Sequence, residues 1–474
     1  MKNTPASRLR NVLRLAASAW LLTALASAFA ADEISISPTP APVVPHERLW
    51  NIVLIVADDM GWNQVGYHGY DWYQTPNIDR IARAGLQFRD AYSAAPICSP
   101  TRAALMTGKD PARLHLTDYI PGNPHEDKPL VTPQQIPCLP LEETTIPEML
   151  RPLGYVSGHF GKWHLGIDYH YQPGRLFDPA SQGFDVVFTA KKPEDDLVPP
   201  PPDAHSTVEI TENAIKFIEK NRDRPFFCYV PHNVVHRPLY EEEELIEKYR
   251  RKPGSTLPIH NPIMGAMIER MDTGIGQILD TLDQLKLSEH TVVIFVSDNG
   301  GLEALQSQAP LRAGKSTLYE GGIRVPLAVR WPGVVQPGRT TNEPVVTQDL
   351  FSTIMEIAGA PYRKDYADGV SLLPLLRDSA PTLGREALHW HYPHYHHFGG
   401  RPSSAIRVGN YKLIEWYEGT LLNQGPAVEL FDLANDMGEQ HDLAAAKPEL
   451  ARSLRAKLDA WRDGEHAQMM TIRR

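Results

Sequence analysis

The chain has 474 residues, 42% hydrophobic and 22% charged, with a formal net charge of -10 at pH 7. That length supports a large core plus a smaller second unit, and the composition excludes a disordered or fibrous chain. The acidic balance argues against a broad basic face for nucleic acid, so positive charge that handles an anion has to be gathered in a pocket.

Residues 1–30 read as a secretory signal. Lys2, Arg8, Arg10 and Arg14 precede an apolar run over 15–25, and Ala28-Phe29-Ala30 supplies a small-x-small cleavage pattern. The run is short of the roughly 20 residues that span a bilayer. The mature chain is therefore expected to be exported, to a periplasm or the medium, without a membrane span. Losing those four positive charges takes the formal net from -10 to -14. Residues 31–46, with Pro38, Pro40, Pro42 and Pro45, read as an extended leader.

The apolar, β-branched run 50–57 predicts a buried parallel strand, and 154–159, 225–230 and 291–297 predict three more. Between them, Met267, Met271, Ile275, Ile278, Leu282 and Leu285 mark one stripe of a helix over 265–285. Ala214, Ile215 and Ile218 do the same over 210–220. This alternation predicts an α/β fold over 47–384, a central, mostly parallel (mixed) sheet flanked by helices. Pro199 to Pro202, beside Glu194-Asp195-Asp196, predict an irregular surface loop. From residue 385 the strands become shorter and more polar. Segments 405–408 and 411–416 predict a hairpin about Gly409-Asn410, and 448–462 a closing helix. Residues 385–474 are thus expected to form a smaller C-terminal α+β subdomain with an antiparallel sheet.

Polar residues gather where the predicted strands end. Strand 50–57 ends in Asp58-Asp59, and 154–159 runs into Gly161-Lys162-Trp163-His164. Strand 225–230 leads to His232-Asn233-Val234-Val235-His236, and 291–297 ends in Asp298-Asn299-Gly300-Gly301. Ligands of open α/β sheets collect at those carboxyl ends. Asp-Asp alone could cap a helix and Asn-Gly alone could turn a loop, but their joint position describes one site. Cys98-Ser99-Pro100-Thr101-Arg102 places a cysteine at the start of a predicted helix, where backbone N–H groups favour an anion. Taken alone, it could also be a buried thiol. Cys138 and Cys228 leave two readings open, a disulfide or two buried thiols.

Taken in order, Val56-Ala57-Asp58-Asp59, Cys98-Ser99-Pro100-Thr101-Arg102, Gly161-Lys162-Trp163-His164-Leu165-Gly166, His236-Arg237-Pro238, Ser297-Asp298-Asn299-Gly300-Gly301 and the run from Leu311 through Lys315 to Pro326 resemble the motifs of one family. The chain is similar to type I (formylglycine-dependent) sulfatases of the alkaline phosphatase superfamily, exported bacterial glycan sulfatases and arylsulfatases among them. The resemblance runs from about Trp50 into the C-terminal subdomain.

It implies that a maturation enzyme oxidises Cys98 to formylglycine (3-oxoalanine). The aldehyde's hydrate offers one hydroxyl to attack a sulfate ester and a second to expel the sulfate. It implies that Asp58, Asp59, Asp298 and Asn299, with residue 98, bind a divalent cation. A hard, oxygen-rich set suits Ca²⁺, the family's usual ion, or Mg²⁺. It further implies that Arg102 steadies the hydrate and that Lys162 and Lys315 contact the sulfate. His236 would protonate the leaving alcohol, and His164 would help deprotonate the second hydroxyl. His159 and His232 are expected to be structural, Arg312 and Arg324 are read as surface or pairing residues with no assigned role, and 319–322 is expected to form a turn.

The implied activity is sulfuric ester hydrolysis. The alternatives are an arylsulfatase, a phosphate or phosphonate ester hydrolase of the same superfamily, and a silent sulfated-glycan-binding relative. A carbohydrate sulfate is the expected substrate, with a galactose-type sugar as the narrower form. The tract His389-Trp390-His391-Tyr392-Pro393-His394-Tyr395-His396-His397 carries this expectation. Its interleaved aromatics and proline break a regular ligand geometry, which disfavours a second metal site. His391, His394 and Arg401 are expected on a sugar-binding rim.

Overall fold

An eight-stranded mixed sheet runs through the molecule, built from β1 (Asn51–Ala57), β2 (Leu86–Phe88), β3 (Val156–Gly161), β4 (Val186–Thr189), β5 (Phe226–Pro231), β6 (Thr291–Ser297), β7 (Leu327–Arg330) and β8 (Arg339–Thr341). The computed structural model describes residues 49–122, 125–134, 136–166, 175–190, 192–194, 201–363 and 365–474. The signal and leader expected over 1–46, and residues 195–200 of the expected proline loop, lie outside the described residues. The strand order is β8-β2-β7-β6-β1-β5-β3-β4. β1 pairs in parallel with β5 and β6, and β3 in parallel with β5 and β4, while β7 runs antiparallel to β2 and β6.

The two central strands are apolar at nearly every position because both faces of the sheet are covered. On one face, Leu54, Val56, Tyr229 and Ile294 join Met106 of α2 (Cys98–Thr107) and Ile354 of the helix Asp349–Ala358. On the other, Val53, Ile55, Val230 and Phe295 meet Ile78 of α1 (Pro76–Arg83), Ile210 of α3 (Thr207–Lys220) and Met267, Met271 and Ile275 of α4 (Pro262–Gln284). Each such side chain contributes about 1.5–3 kcal/mol on burial. α4 begins earlier than its apolar stripe suggests. The Asn261 side chain accepts from the N–H groups of Ile263 and Met264 at 3.0 and 3.2 Å, and Pro262 fits the first turn.

The C-terminal region forms a separate antiparallel sheet in the order β9 (Leu388–Tyr392), β10 (Ser403–Val408), β11 (Tyr411–Trp416), β12 (Val428–Asp432). Gly409-Asn410 joins β10 to β11 as expected. Trp390, Ala405, Ile414 and Phe431 pack against Tyr92, Ile97, Ala104, Leu318 and Ile323. Leu454 and Leu458 of α5 (Pro448–Gly464) cover Ile406, Leu413 and Leu430 on the other face. The sheet is therefore pressed against the chain beside Cys98 and beside Lys315.

Three local expectations are corrected. β3 starts at Val156 rather than 154, because Gly154, with φ of 85°, still closes the turn Arg151–Leu153. Residues 320–323 form a short helix, Glu320–Ile323, rather than a turn. Cys98, Cys138 and Cys228 are all free and buried, so the disulfide alternative falls.

Candidate active site

The strand ends are tied to one another before any ligand enters. Asp58 N–H donates to the Val234 carbonyl at 2.8 Å, Asp298 N–H to the Ala57 carbonyl at 3.1 Å, and Lys162 N–H to the Pro231 carbonyl at 2.7 Å. Gly161, with φ of 132°, permits the last contact, since a Cβ there would lie 1.9 Å from the Pro231 oxygen. Asp59 and His164 hold the left-handed backbone at φ of 62° and 60°. Non-glycine residues in that region are uncommon and collect at functional sites.

At the base of the site, one ligand atom from each of Asp58, Asp59, Cys98 and Asp298 lies within 4.8 Å of the others. Cys98 Sγ is 3.3 Å from Asp58 Oδ1, 3.8 Å from Asp59 Oδ1 and 3.4 Å from Lys315 Nζ. Cys98 stands here as the encoded thiol. Three buried cations answer the three carboxylates. Lys162 Nζ is 2.7 Å from Asp58 Oδ2, Lys315 Nζ is 2.6 Å from Asp59 Oδ1, and Arg102 Nη2 is 2.7 Å from Asp298 Oδ2. A divalent cation added to this balanced set would make the site positive, as an anionic substrate needs.

The residues fit such a cation. The carboxylates are hard donors, and Asn299 adds a buried Oδ1 with no hydrogen-bond partner among the described residues. Its amide is oriented by Nδ2, which donates to Asp59 Oδ1 at 2.8 Å. Burial pushes the Asp298 carboxyl up to about 6, against the pull of Arg102. Burial also opposes charge on Asp58, but Lys162 first, with Arg102, holds it well below the ordinary carboxylate value. The Cys98 thiol is pushed well up by burial, with Asp298 adding to the effect.

The remaining expected residues sit around this base. Arg102 donates to Asp298 through Nε at 2.9 Å and to the Lys162 carbonyl through Nη1 at 3.2 Å. Its hydrogen bonds thus go to a carboxylate and a backbone oxygen rather than to residue 98. His236 Nε2 is 3.8 Å from Asp59 Oδ2, while Nδ1–H donates to the Arg237 carbonyl at 2.5 Å. Burial and then the Lys315 charge hold its imidazole well below the ordinary value, so it is neutral near pH 7. His164 Nε2–H donates to the Ile120 carbonyl at 2.8 Å, and burial, helped by Lys162, keeps that ring neutral too. Ser99, which the motif gave no role, fixes this arrangement. It donates to the His164 carbonyl at 2.9 Å and accepts from Ile120 N–H at 3.0 Å.

Above the base opens a cavity of about 490 Å³ lined by Cys98, Lys162, His164, His236 and Lys315 and, farther out, by Tyr119, Arg237, His396, His397 and Phe398. The expected rim of His391, His394 and Arg401 is not part of it. His391 is held by the Ser404 hydroxyl at 2.7 Å and the Gln468 carbonyl at 2.8 Å, and His394 by the Thr117 hydroxyl at 2.8 Å. Both rings are buried: His391, on β9, ties that strand to β10 and to the C-terminal segment at Gln468, while His394, just beyond β9, ties the sheet to Thr117 of the main domain. Arg401 stacks over Trp416 at 4.3 Å. Only the end of the tract reaches the cavity. His159 and His232 are buried, as expected of structural residues.

Residues 50–360 match the family model described as Sulfatase, well over half of the chain, and 313–464 match the one described as N-sulphoglucosamine sulphohydrolase, C-terminal. The chain belongs to the sulfatase family. Human arylsulfatase A is 32% identical over 86% of this sulfatase and 88% of its own length. N-acetylgalactosamine-6-sulfatase of Canis lupus familiaris is 32% identical over 85% of the chain and 76% of its own length. The crystal structure of Ps i-CgsB in complex with k-i-k-neocarrahexaose superposes with a TM-score of 0.74 at 28% identity, over 88% of this chain and 93% of that one. The protein is an enzyme that hydrolyses sulfate esters.

Proposed function

We propose that this sulfatase acts on a sulfated carbohydrate, after conversion of Cys98 to formylglycine, with Ca²⁺ held by Asp58, Asp59, Asp298 and Asn299. The observation that carries the reading is the placing of Cys98. It stands at the start of α2, between the acidic cluster and Lys315, where the encoded thiol is held in its un-ionised, poorly nucleophilic form. A hydrated aldehyde at that position supplies two hydroxyls on one carbon, one to attack sulfur and one to expel sulfate. The cation would supply positive charge to the nucleophile and to a sulfate oxygen.

This chain's own side chains do the rest. Lys162 and Lys315 hold the sulfate and neutralise its charge. Arg102 acts one step removed, fixing Asp298 and the Lys162 backbone. His236 presents Nε2 on the leaving-group side, and takes up its proton as an anionic substrate offsets the Lys315 field. His164, with Nε2–H committed to Ile120, offers Nδ1 as the base for the second hydroxyl. The carbohydrate reading draws on the cavity, of a size common for small ligands, and on the sugars named for the two glycan-related relatives. The basic and apolar start of the chain supports export; no helix among the described residues is long and apolar enough to cross a membrane.

The test co-expresses the chain with a formylglycine-generating enzyme. Peptide mass spectrometry should find the aldehyde or its hydrate at residue 98, and the protein should release sulfate from defined sulfated sugars. An alkylatable thiol at 98 in fully active protein refutes the nucleophile. Turnover of aryl sulfates or phosphonate esters, with none on any sulfated sugar, refutes the substrate.

A further inference from the structure

The mouth of the cavity holds a positive side chain that the catalytic reading leaves without a task. Arg237 is exposed and lines the same cavity as Cys98, His236 and Lys315. It has no hydrogen-bonded or carboxylate partner among the described residues; its contact is with Phe398, whose ring centroid lies 5.2 Å from the guanidinium carbon. Phe398 packs on His397 at 4.0 Å, His397 on His396 at 4.2 Å, and His396 sets its edge against Tyr119 at 5.6 Å. An aromatic wall thus crosses the cavity mouth and ends in a guanidinium. The guanidinium carbon sits over the ring, and its N–H donors, taken by no described residue, are left for an acceptor.

The neighbouring charges do not answer it. Lys192 and Glu194, which also line the mouth, carry opposite signs, and Asp178 is bound by Arg175 at 2.9 Å. The position is set by chemistry already described, since the Arg237 carbonyl accepts from His236 Nδ1–H. The guanidinium therefore belongs to the leaving-group side, where the alcohol portion of the substrate lies.

Resting on the carbohydrate sulfatase reading above, we propose that Arg237, backed by Phe398, binds a second anionic group on the sugar portion of the substrate. The substrate class is then a glycan with a sulfate or carboxylate besides the sulfate that is cleaved. A planar guanidinium pairs bidentately with either group. Binding energy gathered at that remote group helps to orient the reacting ester.

The experiment compares wild type, Arg237→Met and Arg237→Lys, each with residue 98 verified as the aldehyde. Met keeps the stem and the backbone carbonyl used by His236, and Lys keeps the charge without the fork. Sulfate release is measured on 4-nitrophenyl sulfate and on matched galactose-type and glucosamine-type sugars. Each sugar is supplied with one sulfate, with two sulfates, and with one sulfate plus a linked uronic acid. The readout is the ratio of kcat/KM for the doubly charged to the singly charged member of a pair. Wild type should favour a doubly charged member, the disulfated or the uronate arm naming the group. Arg237→Met should reduce that ratio roughly tenfold or more, and Arg237→Lys by less. A wild-type ratio near one in every pair, or the same ratio in wild type and Arg237→Met, overturns the proposal. Release from 4-nitrophenyl sulfate and from none of the sugars overturns it together with the carbohydrate reading. Release from no substrate at all, with the aldehyde verified at residue 98, overturns the carbohydrate reading and this proposal with it.

Discussion

Lys412 and Glu320 form an ion pair with no exposed side-chain surface, Nζ to Oε1 at 2.8 Å. Lys412 lies on β11 of the C-terminal sheet, and Glu320 follows five residues after Lys315. Glu439 closes the cluster, with Oε1 2.9 Å from Lys412 Nζ and Oε2 accepting from Glu320 N–H at 2.6 Å. Burial opposes charge on Glu320, but Lys412 prevails and holds its carboxyl down at about 2. Through this pair, the C-terminal sheet grips the segment that delivers Lys315 to Asp59.

Lys412→Met should therefore leave Glu439 without its cation and Glu320 with Arg324 alone, and destabilise the fold by about 3–5 kcal/mol. Sulfate release per folded molecule should fall as well, because the Lys315 segment loses its anchor. Urea denaturation and a rate assay on the same sample check both. Unchanged stability would show that the pair does not bind the sheet to the site.

Acid should unfold the protein through its buried histidines. Burial lowers His391 from 6.5 to about 4 and His394 to about 3. The unfolded chain binds these protons near 6.5, the folded one far lower. The contribution to stability is full above pH 6.5 and is lost as pH falls through 6.5 toward 4 and 3. Each group adds a slope of about 1.4 kcal/mol per pH unit in that window. Melting curves at pH 7.5 and pH 5 should show the loss, and His391→Gln should lessen it. If His391→Ala spares stability but impairs sugar sulfates alone, the stitching role is wrong.

His236→Ala should impair a sugar sulfate far more than an activated aryl sulfate. A sugar alkoxide needs a proton to depart, and a nitrophenolate does not. General acid assistance is typically worth about 10²–10⁴-fold, so the gap between the two losses should be of that order. Equal losses would make His236 a binding residue and move the acid to Lys315, 3.4 Å from Cys98 Sγ.

Asp59→Ala and Asp298→Ala should each lose bound calcium, measured by elemental analysis after dialysis, along with sulfate release. Too few hard donors would remain to hold the ion tightly. Each substitution also strips a buried cation of its carboxylate, Arg102 at 2.7 Å in Asp298→Ala and Lys315 at 2.6 Å in Asp59→Ala, so the melting temperature of both should fall. Calcium retained at wild-type stoichiometry in both variants would place the metal elsewhere.

The parallel core was legible in the sequence because a strand covered on both faces must be apolar throughout, as 291–297 is. The site residues were legible for a related reason. Asp58, Lys162 and Asp298 follow directly on their strands, His236 stands five residues beyond the end of β5, and parallel pairing alone brings strand ends together. The mouth of the cavity was not legible in this way. His391, His394, His396 and His397 belong to one tract, but packing against Ser404 and Gln468 buries the first on β9 and packing against Thr117 buries the second just past it, while the loop beyond carries the last two to the cavity. Arg237 showed only as part of a motif until Phe398, far along the chain, was seen beneath its guanidinium. The left-handed backbone at Asp59 and His164 was hidden too, since neither residue type requires it. Sequence by itself determined which elements form and which chemistry stands at their ends. The tertiary structure decided which polar side chains reach solvent in the cavity, because that depends on what packs above each one rather than on its neighbours in the chain.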